Sequence, residues 1–431
     1  AGFDLTFSVP KSVSVLWAMA DESTKAAVHA AHRAALDQTL SWLDDRVIQT
    51  RAGHAGVAKV DTRGLVATAF DHWDSRAGDP QLHTHVVVAN RIQRASDGAW
   101  TTLDSVALHK NVVAASERFN GLLFDELART LGTTAEIRGE TSTSTEGLPL
   151  SDRNARIELA GVPDALIDEF STRTQAIREE KDRLIAQWEA DHGTTPTGGD
   201  LLDIRRQATL ATRTAKDTDD DRTLEEKSLG WRARADSLGI DPSTVINQTI
   251  SQTPTVTVRG DIQPETMAQI ADRAITTVSA QRATFTRANV HAEVSRCLAA
   301  VRCHSAAERD ELLDTITDQA LDTTVRLSPH RYQVNAEHHA GLASGSDHAF
   351  NDSASYATTT QLDAEQRLID AATNYNAPVV TDLNRARQVL DGVTVGDGHA
   401  LADDQRDAAL RIAAAPQSLS ALIGPAGTGK T

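Results

Sequence analysis

The sequence has few cysteines, few aromatic residues and no long apolar run. Its two cysteines, Cys297 and Cys303, are too few for a disulfide framework, and their spacing matches no zinc motif. Within the 431 residues we find neither a secretory leader nor an apolar run of transmembrane length. These absences argue against a disulfide-stapled secreted protein. They predict a cytoplasmic protein without membrane insertion.

Positive charge is also scarce. The chain has 43 Lys and Arg against 60 Asp and Glu, a net charge of −17, which argues against indiscriminate binding to nucleic acid. Residues 1–135 contain 13 basic and 15 acidic side chains, so most of the excess acid lies further along the chain. A nucleic-acid groove needs only local positive potential, and a bound cation would add to it. A DNA-binding first segment is therefore compatible with the composition.

The stretch from Leu65 to Ile92 predicts a hairpin that gathers histidines. Two apolar, β-branched segments flank a polar turn, SRAGDP, which predicts antiparallel pairing. His83 and His85 alternate with Thr84 and therefore share one face, and His72 lies at the end of the preceding strand. Three imidazoles with open coordination positions are typical of a catalytic metal centre. The alternative is that the histidines are ordinary solvated or hydrogen-bonded side chains.

The rest of the first segment predicts an α+β fold. GFDLTFSVP reads as an alternating strand that stops at Pro10, and amphipathic helices are predicted over 21–47 and 105–131. His29 and His32 lie in the first of these helices, but they have no evident third ligand. Asp4 on the first strand could orient a ligand imidazole or accept a proton, although a lone strand carboxylate is more often a plain surface group.

The remaining chain reads as mostly helical until its last residues. Helices are predicted near 151–159, 163–191, 199–215 and 222–238, and a linker near 253–260. Trp188 and Trp231 could stack on bases or belong to the core. An apolar strand then precedes a Walker A motif that cradles nucleotide phosphates. The predicted nucleotide-binding residues of that motif are Gly424, Gly427, Gly429, Lys430 and Thr431.

These residues together resemble a known family. FDLTFSVPKSVSVL, the three histidines and DPQLHTHVVVAN look like the MobF-type conjugative relaxases, HUH-superfamily enzymes fused to a superfamily 1 helicase. The superfamily name implies a hydrophobic residue where this chain has Thr84, although MobF-type sequences commonly show HTH. The resemblance implies a palm-like antiparallel HUH sheet. It also implies a bacterial enzyme that nicks single-stranded DNA at a plasmid transfer origin, together with other relaxosome and conjugation proteins.

The resemblance assigns roles to individual residues. Asp4 matches the Asp of the family's DLTFS motif, which is thought to assist the nucleophile, and Gln405 matches the adenine-reading glutamine of the helicases. Candidate DNA contacts are Lys11, Arg76 and Arg173, although turns and solvated helix faces explain them as well. Implied cofactors are a divalent metal ion (Mg, Mn or Zn) and ATP with Mg in a longer parent.

The family's nucleophile is a tyrosine near its N-terminus, and this chain has no tyrosine before Tyr332. We therefore expect the chain to be a fragment that lacks the tyrosine segment upstream of Ala1 and most of the helicase. The predicted parts are a relaxase core at 1–135, a helical DNA-clamping extension at 136–252, a helicase lead-in domain at 262–400, and the start of an α/β P-loop domain at 401–431.

Two other functions stay open at this stage. One is an ATP-driven DNA translocase whose nuclease-like domain is inactive and only binds DNA. The other is a non-enzymatic protein with a structural metal, which predicts a fourth protein ligand, with His54 or His109 as the candidates.

Overall fold

A computed structural model describes most of the chain. The described residues are 2–52, 58–139, 141–144, 149–151, 155–213, 222–250, 257–258, 262–328, 354–380, 382–395 and 399–423. His54, Tyr332, the Walker A motif and most of the predicted 253–260 linker lie outside them.

We number strands and helices in chain order. The strands are β1 Gly2–Ser8, β2 Thr50–Ala52, β3 Ala58–Val60, β4 Ala67–Asp74, β5 Pro80–Ala89, β6 Ile92–Gln93, β7 Trp100–Thr101, β8 Ala135–Arg138, β9 Thr141–Thr143, β10 Pro149–Ser151, β11 Arg156–Leu159, β12 Thr257–Val258, β13 Val301–Arg302, β14 Val325–Arg326, β15 Tyr356–Ala357, β16 Thr394–Val395 and β17 His399–Ala400. The helices are α1 Lys11–Met19, α2 Glu22–Arg46, α3 Ser105–Leu131, α4 Asp164–Glu169, α5 Thr172–His192, α6 Gly198–Ala211, α7 Leu224–Ser237, α8 Pro242–Thr249, α9 Pro264–Ser279, α10 Arg287–Cys297, α11 Ala306–Asp322, α12 Thr359–Thr373, α13 Leu383–Asp391 and α14 Asp403–Ala414.

A three-stranded antiparallel sheet carries the histidines. Its strand order is β1–β5–β4, so β5 lies in the centre and the predicted hairpin is confirmed. Along β5, Leu82, Thr84, Val86 and Val88 are buried while the residues between them are partly or largely exposed. This period-two pattern gives the sheet one face that packs on the core and one open face.

Helices cover the buried face of the sheet. The core joins apolar residues of β1 and β5 to α1, α2 and α3. Helix α2 begins at its N-cap Asp21, whose carboxylate accepts the backbone N–H of Thr24 at 2.8 Å. Helix α3 ends before Gly132, which adopts the left-handed conformation at φ 63°. Both helices match their predicted ranges closely, and the α+β class with an antiparallel sheet is confirmed.

The region after α3 differs from the sequence prediction in two places. Within the helix predicted at 151–159, the described residues 151 and 155–159 are not helical, because β11 pairs antiparallel with β8 and is fixed to α1 through Glu158, which accepts the backbone N–H of Ser12 at 2.8 Å. The predicted helix over 163–191 is two helices, α4 and α5, separated at Phe170 and Ser171. Helices α6 and α7 form close to their predicted positions.

Helices α9, α10 and α11 have a hydrophobic core of their own and dock on α3 through ion pairs. Arg118 of α3 bonds both carboxylate oxygens of Asp310 at 2.8 Å. Asp125 of α3 accepts two hydrogen bonds from the buried Arg309, at 2.6 and 2.7 Å. Residues 1–356 accordingly form one compact unit. The functional boundaries predicted within it stay predictions.

Residues 357–431 form a second compact unit, which contains α12, α13, α14 and the short β16–β17 pair. The prediction of a strand before the Walker A motif is wrong for the described residues 419–423. These residues are exposed and pair with no described strand. A strand forms only where a neighbour supplies its hydrogen bonds. The start of a P-loop domain therefore stays a prediction. No described helix combines the length and apolar character that a membrane crossing requires.

Candidate metal centre

Three histidines converge on the open face of the sheet. His72 of β4 pairs directly with His83 of β5, and His85 lies two residues further along β5. Their ring centroids are 5.1, 5.1 and 5.2 Å apart, and one nitrogen from each ring lies within 4.8 Å of the others. Metal–nitrogen bonds of about 2.0–2.1 Å need only small ring rotations from this arrangement. The donor set therefore fits a divalent metal ion.

Two of the rings are oriented by hydrogen bonds at their other nitrogen. Nδ1 of His83 donates to the carbonyl oxygen of Gln81 at 2.8 Å. Nδ1 of His85 donates to the carboxylate of Asp4, with both oxygens at 2.9 Å, and the Thr6 hydroxyl lies 3.2 Å from the same nitrogen. These bonds leave Nε2 of each ring as the metal-binding atom, the usual pattern at metal-bound histidines. Asp4 thus hydrogen-bonds a ring of the triad, and the orienting role predicted for it stays a prediction.

The electrostatics of the site favour neutral imidazole at His83. Burial lowers the pKa of His83, and the neighbouring His72 and His85 rings lower it further. A neutral ring keeps the lone pair that binds a metal.

No fourth protein ligand lies at the triad among the described residues. His109 contacts the ring of Phe3 instead, with centroids 6.1 Å apart, and His54 is outside the described residues. Three protein ligands leave room for water or a substrate oxygen on a bound ion, as in catalytic rather than structural sites.

A polar network on the opposite face fixes the two histidine strands to each other. Thr84, which lies between His83 and His85 in the sequence, is fully buried on this opposite face. Its hydroxyl donates to Asp71 of β4 at 2.6 Å and accepts from Nε2 of His32 at 2.7 Å. His29 and Arg33 of α2 also donate to Asp71, at 3.1 and 3.2 Å. This network explains the threonine in the HTH motif.

The network also sets the charge of its members. Burial lowers the pKa of His32 to about 4, so this ring is neutral. Burial alone would raise the pKa of Asp71, but hydrogen bonds from Thr84 and His29 hold it below its usual value. Among the described residues, His29 and His32 form no metal site of their own.

Comparison with known proteins identifies the family. The family model for TrwC relaxase matches residues 1–238, more than half of the chain. The chain belongs to the TrwC relaxase family. The resemblance to conjugative relaxases seen in the sequence is therefore confirmed.

Two curated relatives are multifunctional conjugation protein TraI of Escherichia coli and of its strain K12. They are 34% and 32% identical over 179 residues, which cover 41% of this chain and 9% of each relative. The chain thus spans about a tenth of the length of the curated relatives it matches. Among solved structures, conjugative relaxase TrwC with oriT DNA matches in metal-bound and metal-free forms. The identities are 30% and 31% and the TM-scores 0.42 and 0.41, over 56% of this chain and 73% of each TrwC chain.

In this relaxase-family chain, the turn between the histidine strands is held by the helices that follow the sheet. Buried Asp79 accepts the backbone N–H of Thr172 at 3.0 Å and a guanidinium N–H of Arg234 at 3.1 Å. The indole of Trp231 donates to the Gly78 carbonyl at 2.8 Å. Asp79 was not predicted from the sequence, where its signal is its place beside Pro80 before the histidine strand. Trp231 proves to be a core residue.

The three predicted DNA-contact residues differ in their exposure to solvent. Lys11 is largely buried, its ammonium donates to the Pro80 carbonyl at 3.1 Å, and burial lowers its pKa. It therefore supports the start of β5 and does not point freely into solvent. Arg76, in the β4–β5 turn, and Arg173, in the first turn of α5, are both exposed.

Proposed function

We propose that this chain supplies the metal-binding core of a conjugative relaxase, which nicks one strand of single-stranded DNA at a plasmid transfer origin. The observation that supports this most directly is the triad of His72, His83 and His85. Its oriented rings lie on an open sheet face in a chain of the TrwC relaxase family. An open face admits a DNA strand, and three imidazoles leave a position for its phosphate oxygen.

In this proposal the chain's own residues prepare a phosphodiester for attack. A bound divalent ion supplies polarisation of the phosphate oxygen and offsets charge that develops in the transition state. The three histidines hold that ion, and Asp4 keeps His85 in the required tautomer. The Asp4 side chain is 55% exposed, so it can also accept a proton from an attacking group.

The attacking group of the proposal is a tyrosine hydroxyl. Its oxygen bonds to phosphorus while the bond to the 3′-oxygen breaks, which leaves a 5′-phosphotyrosine and a free 3′-hydroxyl. Tyr356 does not supply that hydroxyl, because its ring packs on the α9–α11 core. We expect the nucleophile upstream of Ala1 in a longer parent, and we expect residues 1–431 to bind metal and DNA without nicking.

Isothermal titration calorimetry with Mn²⁺, Zn²⁺ and Mg²⁺ tests the metal site. The unsubstituted chain of residues 1–431 should bind one of these ions at a single site. A variant with all three histidines changed to alanine should not. Equal binding by both proteins would remove the basis of the proposal. Retained binding by an Asp97→Asn variant, which loses an exposed acid in the β6–β7 turn, controls for non-specific attraction of cations.

We further propose that a longer parent adds ATP-dependent helicase activity. The support is the Walker A sequence at 424–431 together with Gln405, which lies in the first turn of α14. A Lys430→Ala change in such a parent should abolish ATP hydrolysis while metal binding persists. A parent that hydrolyses ATP and moves on DNA but never nicks would instead support the translocase. The partners that we propose for the relaxase are relaxosome and conjugation proteins.

A further inference from the structure

An aromatic side chain stands exposed beside the metal centre. Phe70 of β4 is 51% exposed and lies in register with His85 of β5, and His72 is two residues further along the same strand. Cross-strand partners point to the same side of an antiparallel sheet. Phe70 therefore lies on the open face with the three histidines.

A second exposed apolar side chain lies next to Phe70 on the same face. We call each set of cross-strand partners on this face a row. The next row, away from His72, pairs Thr68 of β4 with Val87 of β5, and Val87 is 43% exposed. Burial of a phenylalanine side chain stabilises a fold, and an exposed phenylalanine forgoes that contribution. Single exposed apolar residues are common, but this one adjoins a site at which a phosphodiester is proposed to bind.

We propose that Phe70 is a stacking platform for one nucleobase of the DNA strand whose phosphate occupies the open position of the metal centre. This inference rests on the proposed function and adds a specific base contact to it. Neighbouring rows on one face of a strand lie about 6.6 Å apart, so a base one sugar away from the bound phosphate falls on the row of Phe70. Aromatic rings accept any base, because every base has a π-face.

The observations favour a nucleobase over an apolar protein segment as the occupant. The row of His72 and His83 and the row of Phe70 and His85 both carry imidazoles, and a metal bound there would add positive charge, which attracts a phosphate backbone. The row of Phe70 itself contains Thr6 and His85, which are polar groups that an apolar segment would have to desolvate.

Fluorescence anisotropy with metal-loaded protein tests the platform. The probes are a fluorescein-labelled oligo(dT) of about 20 nucleotides and an abasic deoxyribose-phosphate strand of the same length, both long enough to cross the site. Phe70→Ala should weaken oligo(dT) binding by about 5- to 150-fold, as alanine substitution of stacking aromatics does, and should leave abasic-strand binding unchanged. Phe70→Trp should restore affinity for oligo(dT), whereas Phe70→Leu, which is apolar without a ring, should not.

Two controls keep the result specific. Trp100→Ala removes an aromatic ring that is 54% exposed in the separate β6–β7 sheet and should leave both affinities unchanged. Metal affinity of Phe70→Ala, measured by calorimetry, should equal that of the parent.

The outcomes separate this inference from the proposed function. Suppose that the unsubstituted protein binds metal and oligo(dT), and that Phe70→Ala binds both strands with the same affinities. The stacking platform is then overturned, and the proposed function stands. Equal losses on both strands would also overturn it, because Phe70 would then act through the fold. If the unsubstituted protein binds neither strand, both the stacking platform and the proposed function are overturned.

Discussion

At the scale of single residues, we expect the contact between Asp4 and His85 to set how strongly the proposed centre binds a metal. Asp4→Asn removes the negative charge while keeping the shape of the side chain. Carboxylates behind metal-bound histidines raise ligand basicity, and their loss typically weakens metal binding about 10- to 100-fold. We expect a loss of that size in calorimetry with the best-binding ion. Asp37→Asn, on the exposed side of α2, removes the same charge elsewhere and should leave the affinity unchanged.

The hydroxyl of Thr84 gives a second prediction at this scale. Thr84→Val keeps the shape of the side chain but removes both hydrogen bonds, to Asp71 and to His32. Asp71 keeps its hydrogen bonds from His29 and Arg33, but Nε2 of His32 is left without a partner. A buried polar group without a partner costs about 1–3 kcal/mol, so the free energy of unfolding should fall by about that amount. Urea denaturation measures the loss, and Thr84→Ser should recover most of it. A valine variant as stable as the parent would show that the network contributes nothing net.

The convergence of the three histidines was predictable from the sequence, but the residues that support them were not. His72, His83 and His85 were predictable because period-two alternation places residues of a strand on known faces. The link from Thr84 to His32 was not, because His32 lies in a helix 52 positions earlier in the sequence. Which helix packs behind a sheet depends on tertiary contacts that local patterns do not contain.

Helix α3 illustrates, at the scale of the element, how packing overrides helix propensity. Gly121 lies inside α3, where alanine would ordinarily stabilise by about 1 kcal/mol. An added Cβ at this position would lie only 2.8 Å from Nη1 of Arg309, which is buried and bonded to Asp125. Breaking a buried ion pair costs about 3–5 kcal/mol, so we expect Gly121→Ala to lower the free energy of unfolding by about 2–4 kcal/mol after the gain in helix propensity.

The matched control is Gly230 of α7, where an added Cβ meets no atom within 4 Å. Gly230→Ala should raise the free energy of unfolding by up to about 1 kcal/mol, because only propensity acts there. Urea denaturation of both variants provides the comparison. If Gly121→Ala also stabilises the protein, Arg309 must move without losing Asp125, and the contact is less constrained than the structure indicates.

Prediction of the elements succeeded where local signals agreed and failed where distant pairing decided. Helices α2 and α3 have apolar periodicity, and α2 starts at Asp21 as its N-cap. Strand β11 has only four residues, and it forms because β8 and α1 supply its partners. The docking of α11 on α3 was also not predictable, because Arg309 and Asp310 have the character of a solvated helix face in the sequence alone.

At the scale of the whole molecule, the packing of α10 against α2 and α3 makes stability depend on pH. His291 is buried beside Trp42, with ring centroids 5.7 Å apart, and its Nδ1 has no hydrogen-bond partner among the described residues. Burial lowers the pKa of His291 to about 4, while the charged groups near it, Asp310, Asp314, Arg118 and Arg287, act in opposing directions. An unfolded histidine has a pKa of about 6.5.

Between these two values the unfolded chain binds a proton at His291 that the folded chain does not. The stability that neutral His291 permits is therefore present above pH 6.5 and is lost as the pH falls towards 4. At pH 5 the loss should reach about 2 kcal/mol relative to pH 7. His291→Gln removes this titration, so the free energy of unfolding of the variant should fall less between pH 7 and pH 5, by about that amount.

Urea denaturation of both proteins at the two pH values measures this difference. Other titrating groups, including His32, are the same in both proteins and cancel in the comparison. A parallel fall in both proteins would mean that His291 takes up its proton in the folded state, which the packing of α10 against Trp42 would then have to accommodate. A smaller fall in the variant would identify the packing of α10 against α2 as an acid-labile contact.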